Sequence, residues 1–274
     1  MIKKLVLFLS ITALLLLVLI VPAIYFGGLL YLFYVGGFIG LAAWEYVRLF
    51  RLAKFEPSSF LTIAGTLAIL LVRALWPALA TAALTLLVLA ALTLHLFAYE
   101  RGRNQAALDF AITVGGLAYL GWIASYIFDL RTLPSGGWWT MLVFPVVWLA
   151  DSGAYLIGVK YGRHKMFPRL SPGKSWEGYV AGILGGTLAG GFFAFAYSRF
   201  GPLTATIWQG ALLGFVVSAL TLLGDLGESL FKRFADQKDS GTLLPGHGGA
   251  FDRIDSLIWA GVIGYFWIRF FFPA

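Results

Sequence analysis

The sequence predicts an all-α polytopic membrane protein with about nine transmembrane helices, its N-terminus cytoplasmic and its C-terminus outside. Composition is the first observation behind this reading. The 274 residues are 60% hydrophobic and only 12% charged, whereas a soluble globule carries about 25% charged residues. The second is that apolar runs of about 18 residues or more, long enough to cross a bilayer as a helix, recur along nearly the whole chain. They are continuous rather than alternating with period two, which argues against a β-barrel. The placement of the basic residues is the third observation, and it sets the orientation.

Prolines, glycine clusters and charge groups divide the chain into spans at roughly 4–22, 24–47, 58–76, 78–99, 107–129, 138–160, 178–199, 205–231 and 254–272. The first opens on Lys3 and Lys4 like a signal peptide. Its apolar run exceeds the roughly 7–15 residues of a signal core, and a second span follows at once, so it is read as a retained helix. Arg48, Arg51 and Lys54 close the second span, and Pro77 separates the third from the fourth. Arg101 and Arg103 end the fourth, while Arg131 and Pro134 follow the fifth. The sixth and seventh flank a long polar connection, 161–177. Gly201 and Pro202 part the seventh from the eighth, and a second polar connection, 232–253, leads to the ninth.

With the N-terminus inside, only Arg73, Arg131, Arg199 and Arg269 of the 20 Lys and Arg residues face outward. Both polar connections therefore face the cytoplasm, where soluble nucleotides and metal ions are available. The net charge of +7 is accounted for by this topogenic bias and by attraction to anionic lipid. No basic helix or aromatic pattern supports a nucleic-acid partner. Cysteine is absent, which excludes disulfides, thiolate metal sites and cysteine nucleophiles.

Acidic residues inside spans are costly unless paired or functional. Asp151 lies within the sixth span, Asp225 and Glu228 toward the cytoplasmic end of the eighth, and Asp252 and Asp255 open the ninth. Each of the last two pairs is spaced i,i+3 and shares a helix face. Helical direction puts them at similar depth, and clustered carboxylates imply a bound cation. Oxygen donors without His or Cys point to Mg²⁺, with Asp225, Asp252, Asp255 and Glu228 as its candidate ligands. Simple ion pairing could account for Glu228 with Lys232 and Asp255 with Arg253. It leaves Asp225 unexplained, because its own helical turns offer only Gly, Leu and Ser.

Between the last two spans, Gly241, Gly246, Gly248 and Gly249 allow sharp turns and close approach of backbone N–H groups to an anion. Lys232, Arg233, Lys238 and Arg253 surround that loop with positive charge. Glycines, cations, carboxylates and a helix N-terminus together describe a phosphate site, with a nucleoside triphosphate as natural occupant. In the 161–177 connection, Lys174 and Ser175 are candidates to contact a phosphate of lipid or nucleotide. The string Gly173-Lys174-Ser175 is not a Walker A motif, since Pro168 stands where its first glycine belongs. His247 is either a base or a hydrogen-bonded loop histidine, and His95, alone in an apolar helix, reads as structural.

These residues resemble the signature of the phosphatidate cytidylyltransferases, or CDP-diacylglycerol synthases. The likeness rests on Ser229, Phe231, Lys232 and Arg233; Lys238 and Asp239; Pro245, His247, Gly248 and Gly249; and Asp252, Arg253 and Asp255. Upstream, the strings around Asp151 and Lys174 also resemble the family, so the likeness covers about residues 140–274. Ala250 and Gly173 are mild departures, and neither touches the expected chemistry.

The resemblance implies transfer of CMP from CTP to phosphatidic acid, giving CDP-diacylglycerol and pyrophosphate, in the plasma (inner) membrane. It implies Mg²⁺, a second cation and a homodimer as further expectations. Asp225 and Asp252 would hold the metal with Asp255 and Glu228 assisting, and Lys232, Arg233 and Lys238 would steady phosphates. Lys174, Ser175, Asp239, Gly248, Gly249, Arg253 and Asp151 complete the expected substrate-binding set, and His247 the catalytic one. On this view residues 1–137 form a scaffold or dimerisation region and residues 138–274 the catalytic helices. Two rivals are a cation-coupled transporter and another membrane phospholipid phosphotransferase. The first keeps its acids near the midplane of repeated halves, and the signature of the second is absent here.

Overall fold

A computed structural model describes residues 18–241 and 248–272. Seven helices among the described residues are long and apolar enough to cross a membrane, and a shorter apolar helix of 17 residues, Ser59–Leu75, accompanies them. The protein is thus an all-α, multi-pass membrane protein. Eight of the nine expected spans correspond to helices, while the first, 4–22, lies largely outside the described residues; residues 18–26 are helical. The chain forms two compact units. One comprises Met1–Phe128 with Phe231–Ile254, the other Asp129–Leu230 with Asp255–Ala274.

The first unit is built on helices α1 (Gly28–Leu52), α2 (Ser59–Leu75), α3 (Ala80–Glu100) and α4 (Ala106–Gly116), and on a π-helical segment, Leu117–Ile123, that leads toward α5 (Tyr126–Thr132). Along α1, Tyr31, Leu32, Val35, Ile39, Ala42, Ala43 and Tyr46 recur at helical spacing and form its buried stripe. The two tyrosines bury their rings and donate their hydroxyls to carbonyls, Tyr31 to Ile127 O at 3.0 Å and Tyr46 to Ile112 O at 2.9 Å. Helix α3 buries little beyond Ala80, Ala91 and His95. Leu86, Leu89, Leu96 and Phe97 on it are exposed, as suits a face turned to lipid tails. His95 has the structural role expected of it, with Nε2 3.0 Å from Thr113 Oγ1.

Where α2 and α4 begin, Asp109 is 1% exposed and accepts from Arg103 Nε and Glu56 N, each at 2.7 Å. Ser58 caps α2 by accepting from Leu61 N, and its own N–H donates to Thr113 Oγ1. Asp109→Asn puts an amide where an anion held two donors. The expected outcome is a Tm lower by about 5 °C or more in detergent, with helix content unchanged, checked by thermal scanning and circular dichroism.

Helices α6 (Gly136–Tyr161), α7 (Trp176–Phe200), α8 (Ile207–Phe234, up to Leu230) and α9 (Phe251–Phe271, from Asp255) make the second unit. Gly178, Gly182, Gly186 and Gly190 repeat every four residues along α7 and open one small-residue face. A Cβ at Gly182 would lie 2.9 Å from Ala150 O of α6; one at Gly190 would lie 2.2 Å from Gly210 O of α8. Only hydrogen at these positions lets the backbones meet.

The 161–177 connection is more ordered than a polar linker. Strand β1 (Lys165–Phe167) pairs antiparallel with β2 (Ser171–Ser175), with Lys165 opposite Ser175 and Phe167 opposite Ser171. Glu177 fastens the hairpin by accepting from His164 N at 3.2 Å, with His164 Nδ1 at 2.6 Å.

Candidate active site

Two lysine–carboxylate pairs organise the expected site residues, one in each unit. In the second unit β2 ends at α7, and Ser175 is the N-cap of that helix, accepting from Gly178 N at 3.2 Å. This fixes the strand so that Lys174, one residue earlier, donates from Nζ to Asp225 Oδ2 of α8. Ser229, one turn further along α8, donates to Asp225 Oδ1 at 3.4 Å. The cationic partner that the neighbouring turns of α8 do not offer Asp225 therefore comes from the hairpin. Ser175 is 3% exposed, with its hydroxyl oxygen engaged in the cap. The sequence offered it as a phosphate contact; the structure shows it shaping the strand that carries Lys174.

Close packing positions Asp225 as well. A Cβ on Gly224 would fall 2.4 Å from Asp255 O, so α8 and α9 touch backbone to backbone beside these two acids. Asp255 is 8% exposed and accepts from Ser256 N, and Glu228 is 1% exposed. Asp151, on α6, is exposed.

In the first unit the polar segment after α8 folds around Asp252. Lys232 Nζ donates to Asp252 Oδ1 at 2.6 Å, and the two side chains are each 11% exposed. Asp252 Oδ2 accepts from Gly249 N at 2.8 Å, Ser240 Oγ at 2.8 Å and Ser240 N at 3.2 Å. The chain makes this turn at Gly248, whose φ of +74° favours glycine. A Cβ there would also meet Asp252 Oδ2 at 2.7 Å. Phe231 anchors the segment among aromatic rings, with centroids 5.5 Å from Tyr46, 5.7 Å from Phe50 and 6.2 Å from Phe251. Arg233 is exposed and donates to Gln237 O at 3.0 Å. Lys238, Asp239 and Arg253 are exposed too, available to a solute. His247, with Pro245 and Gly246, lies outside the described residues.

Among the described residues no three His, Cys, Asp or Glu side chains converge closely enough to hold a metal ion by themselves. Of the expected ligands, Asp252 belongs to the first unit and Asp225, Asp255 and Glu228 to the second. Within their own units, Asp225 and Asp252 each face a lysine ammonium. Glu45 of α1 is a site residue that the sequence reading missed. It is fully buried and touches the same polar segment. Its signal was available, because it is the one acid within an otherwise apolar second span.

The sequence is similar to those of proteins already known. Residues 9–271 match the family model described as Cytidylyltransferase family. The phosphatidate cytidylyltransferase of Haemophilus influenzae is 42% identical over 137 residues, covering 48% of this chain and 45% of that protein. That of Staphylococcus epidermidis is 40% identical over 151 residues, covering 55% and 56%. The chain thus spans about half the length of these two relatives. With the phosphatidate cytidylyltransferase of Synechocystis the likeness is 31% identity over 258 residues, covering 84% of this chain and 85% of that protein. A match that runs from the first helices to the last turn of α9, and so takes in both lysine–carboxylate pairs, settles the kinship: the chain belongs to the cytidylyltransferase family.

Proposed function

We propose that this protein transfers CMP from CTP to phosphatidic acid, releasing pyrophosphate and leaving CDP-diacylglycerol in the membrane. The observation that carries the reading is the polar segment held on Asp252 by Lys232, Ser240 and Gly249 within an apolar, multi-pass chain. Family kinship and the names of the relatives support the choice of substrates.

A lipid phosphate already carries an oxyanion, so the attacking group needs little help from a base. Attack of that oxygen on the α-phosphorus of CTP forms one P–O bond and breaks the bond to the departing pyrophosphate. Positioning and charge neutralisation then do most of the catalysis. Lys174 and Lys232 are the buried or half-buried ammonium groups suited to that task, and exposed Arg233, Lys238 and Arg253 suit the triphosphate tail. Asp225 in the second unit and Asp252 in the first each offer carboxylate oxygens, the donor type that fits Mg²⁺, an ion commonly held by one or two carboxylates plus substrate phosphates rather than by an all-protein cage. When bound, the ion would supply neutralisation of the developing phosphate charge. The basic-residue bias puts this chemistry at the cytoplasmic face, with the N-terminus inside.

The test is pyrophosphate release by detergent-purified protein with phosphatidic acid and Mg²⁺, offering CTP, ATP, GTP and UTP in parallel. Lipid-dependent release with CTP alone is expected. Absence of release with every nucleotide, from protein that melts cooperatively, would overturn the assignment.

A further inference from the structure

Glu45 is a carboxylate placed in the interior of an apolar helix, and it is 0% exposed. An ion there is costly unless its oxygens are satisfied. They are satisfied by distant partners. Oε1 accepts from Ala250 N at 3.0 Å; Oε2 accepts from Phe251 N at 2.8 Å and lies 2.9 Å from Ser240 Oγ. Ala250 and Phe251 lead into α9, so their N–H groups are among the donors that a helix start leaves without a partner in its own turn. Glu45 thus caps α9 from another part of the chain, with its negative charge at the positive end of the helix dipole.

Two glycines of the polar segment are shaped to this carboxylate. A Cβ at Gly241 would lie 2.3 Å from Glu45 Oε1, and one at Gly249 would lie 2.3 Å from Oε2. Both stretches of backbone that donate to Asp252, at Ser240 and at Gly249, therefore close directly on Glu45. Ser240 completes the link, because its Oγ also lies 2.8 Å from Asp252 Oδ2. A hydroxyl has one proton, so it serves only one of the two carboxylates at a time. When Asp252 turns its charge toward a cation, that proton is free to go to Glu45.

We propose that Glu45 is a positioning residue for the cytidylyl transfer: through Ser240 and the amides of Ala250 and Phe251 it holds Asp252 in its working orientation. The inference rests on the function proposed above. Nothing in it requires Glu45 to touch a substrate.

The test uses the full chain in detergent with phosphatidic acid, CTP and Mg²⁺. Glu45→Gln keeps the size but provides only one acceptor oxygen for two amides, so one N–H loses its acceptor and faces the new NH2 group. The expected result is a kcat lower by about 10–100-fold, the size of effect seen when a group supporting a metal ligand is removed. KM for phosphatidic acid should stay within about twofold, and the Mg²⁺ concentration for half-maximal rate should rise. Amide hydrogen exchange at Ala250 and Phe251, read in the resting protein without substrates, should become faster. Ser240→Ala, which removes only the hydroxyl link, should lower kcat in the same direction. It should add less than its separate effect when combined with Glu45→Gln, and it decides the matter if Glu45→Gln does not fold.

Wild-type kcat and Mg²⁺ dependence in folded Glu45→Gln would overturn the proposal. Faster exchange with unchanged kcat would reduce Glu45 to a brace, and lost turnover without faster exchange would rule out the route through these amides. Because the exchange measurement involves no substrate, it tests the holding role even if the wild-type protein shows no activity with CTP, which would instead sink the assigned reaction.

Discussion

Asp252→Asn is expected to reduce lipid-dependent pyrophosphate release from CTP by at least about 10³-fold, at the upper end of what one electrostatic group contributes in such sites. The substitution is nearly isosteric, yet each hydrogen-bond partner of this side chain among the described residues is a donor. Oδ1 faces the Lys232 ammonium; Oδ2 faces two backbone N–H groups and the Ser240 hydroxyl. An amide nitrogen on either side would point a donor at donors. It would also remove a charge that balances Lys232, whose ammonium side chain is only 11% exposed. The transmembrane helices are built from other contacts, so the variant should insert and melt cooperatively. Turnover within about tenfold of wild type, in protein shown to be folded, would remove Asp252 from the chemistry.

Gly190→Leu is expected to prevent a stable fold altogether. The new side chain would begin 2.2 Å from Gly210 O and 2.9 Å from Gly214 Cα, both backbone atoms of α8. A flexible side chain could move aside, but a helix backbone cannot without separating the pair along its length. Overpacking in a close interface costs typically about 1–3 kcal/mol, and here the obstacle is main chain, so the upper end or beyond applies. The variant should aggregate on size-exclusion chromatography or melt well below the wild type. Leu at Gly173, where no atom lies within 4 Å of a built Cβ, is the control and should behave as wild type in both measurements. Equal melting of the two variants would show that α7 and α8 do not pack through this face.

The fold was legible because hydropathy and punctuation are local. The expected span 138–160 is the helix Gly136–Tyr161, and 178–199 is Trp176–Phe200. The ends moved where capping decides them: Ser175 accepts the Gly178 amide and so starts α7 two residues earlier than the apolar run implies. The β-hairpin escaped notice because its strands are only three and five residues long, too short for an alternation to reveal them.

In the site, the acids were visible as charges in apolar helices, but their partners were not. Lys174 and Asp225 are separated by 51 residues. Lys232 and Asp252 meet across a turn whose shape depends on a positive φ at Gly248. Spacing on one helix shows i,i+3 neighbours, but it does not reveal the lysines that come from elsewhere to meet two of these carboxylates. Glu45 was legible in principle, since one acid in an apolar span signals a function. Its role was not, because its amide partners lie 205 and 206 residues further along the chain.

That separation has a consequence for biosynthesis. At about 5–20 residues per second, a ribosome takes roughly 10–40 s to travel from Glu45 to the amides that receive it. Throughout that interval α1 carries an acid into the bilayer without its final partners, and translocon insertion of such a group at a helix centre is disfavoured by about 2.5–3.5 kcal/mol. The early helices therefore have to be retained by their flanking cations Arg48, Arg51 and Lys54 and by neighbouring spans until synthesis reaches α9. A chain stopped short of Ala250 leaves Glu45 of α1 without these amide partners.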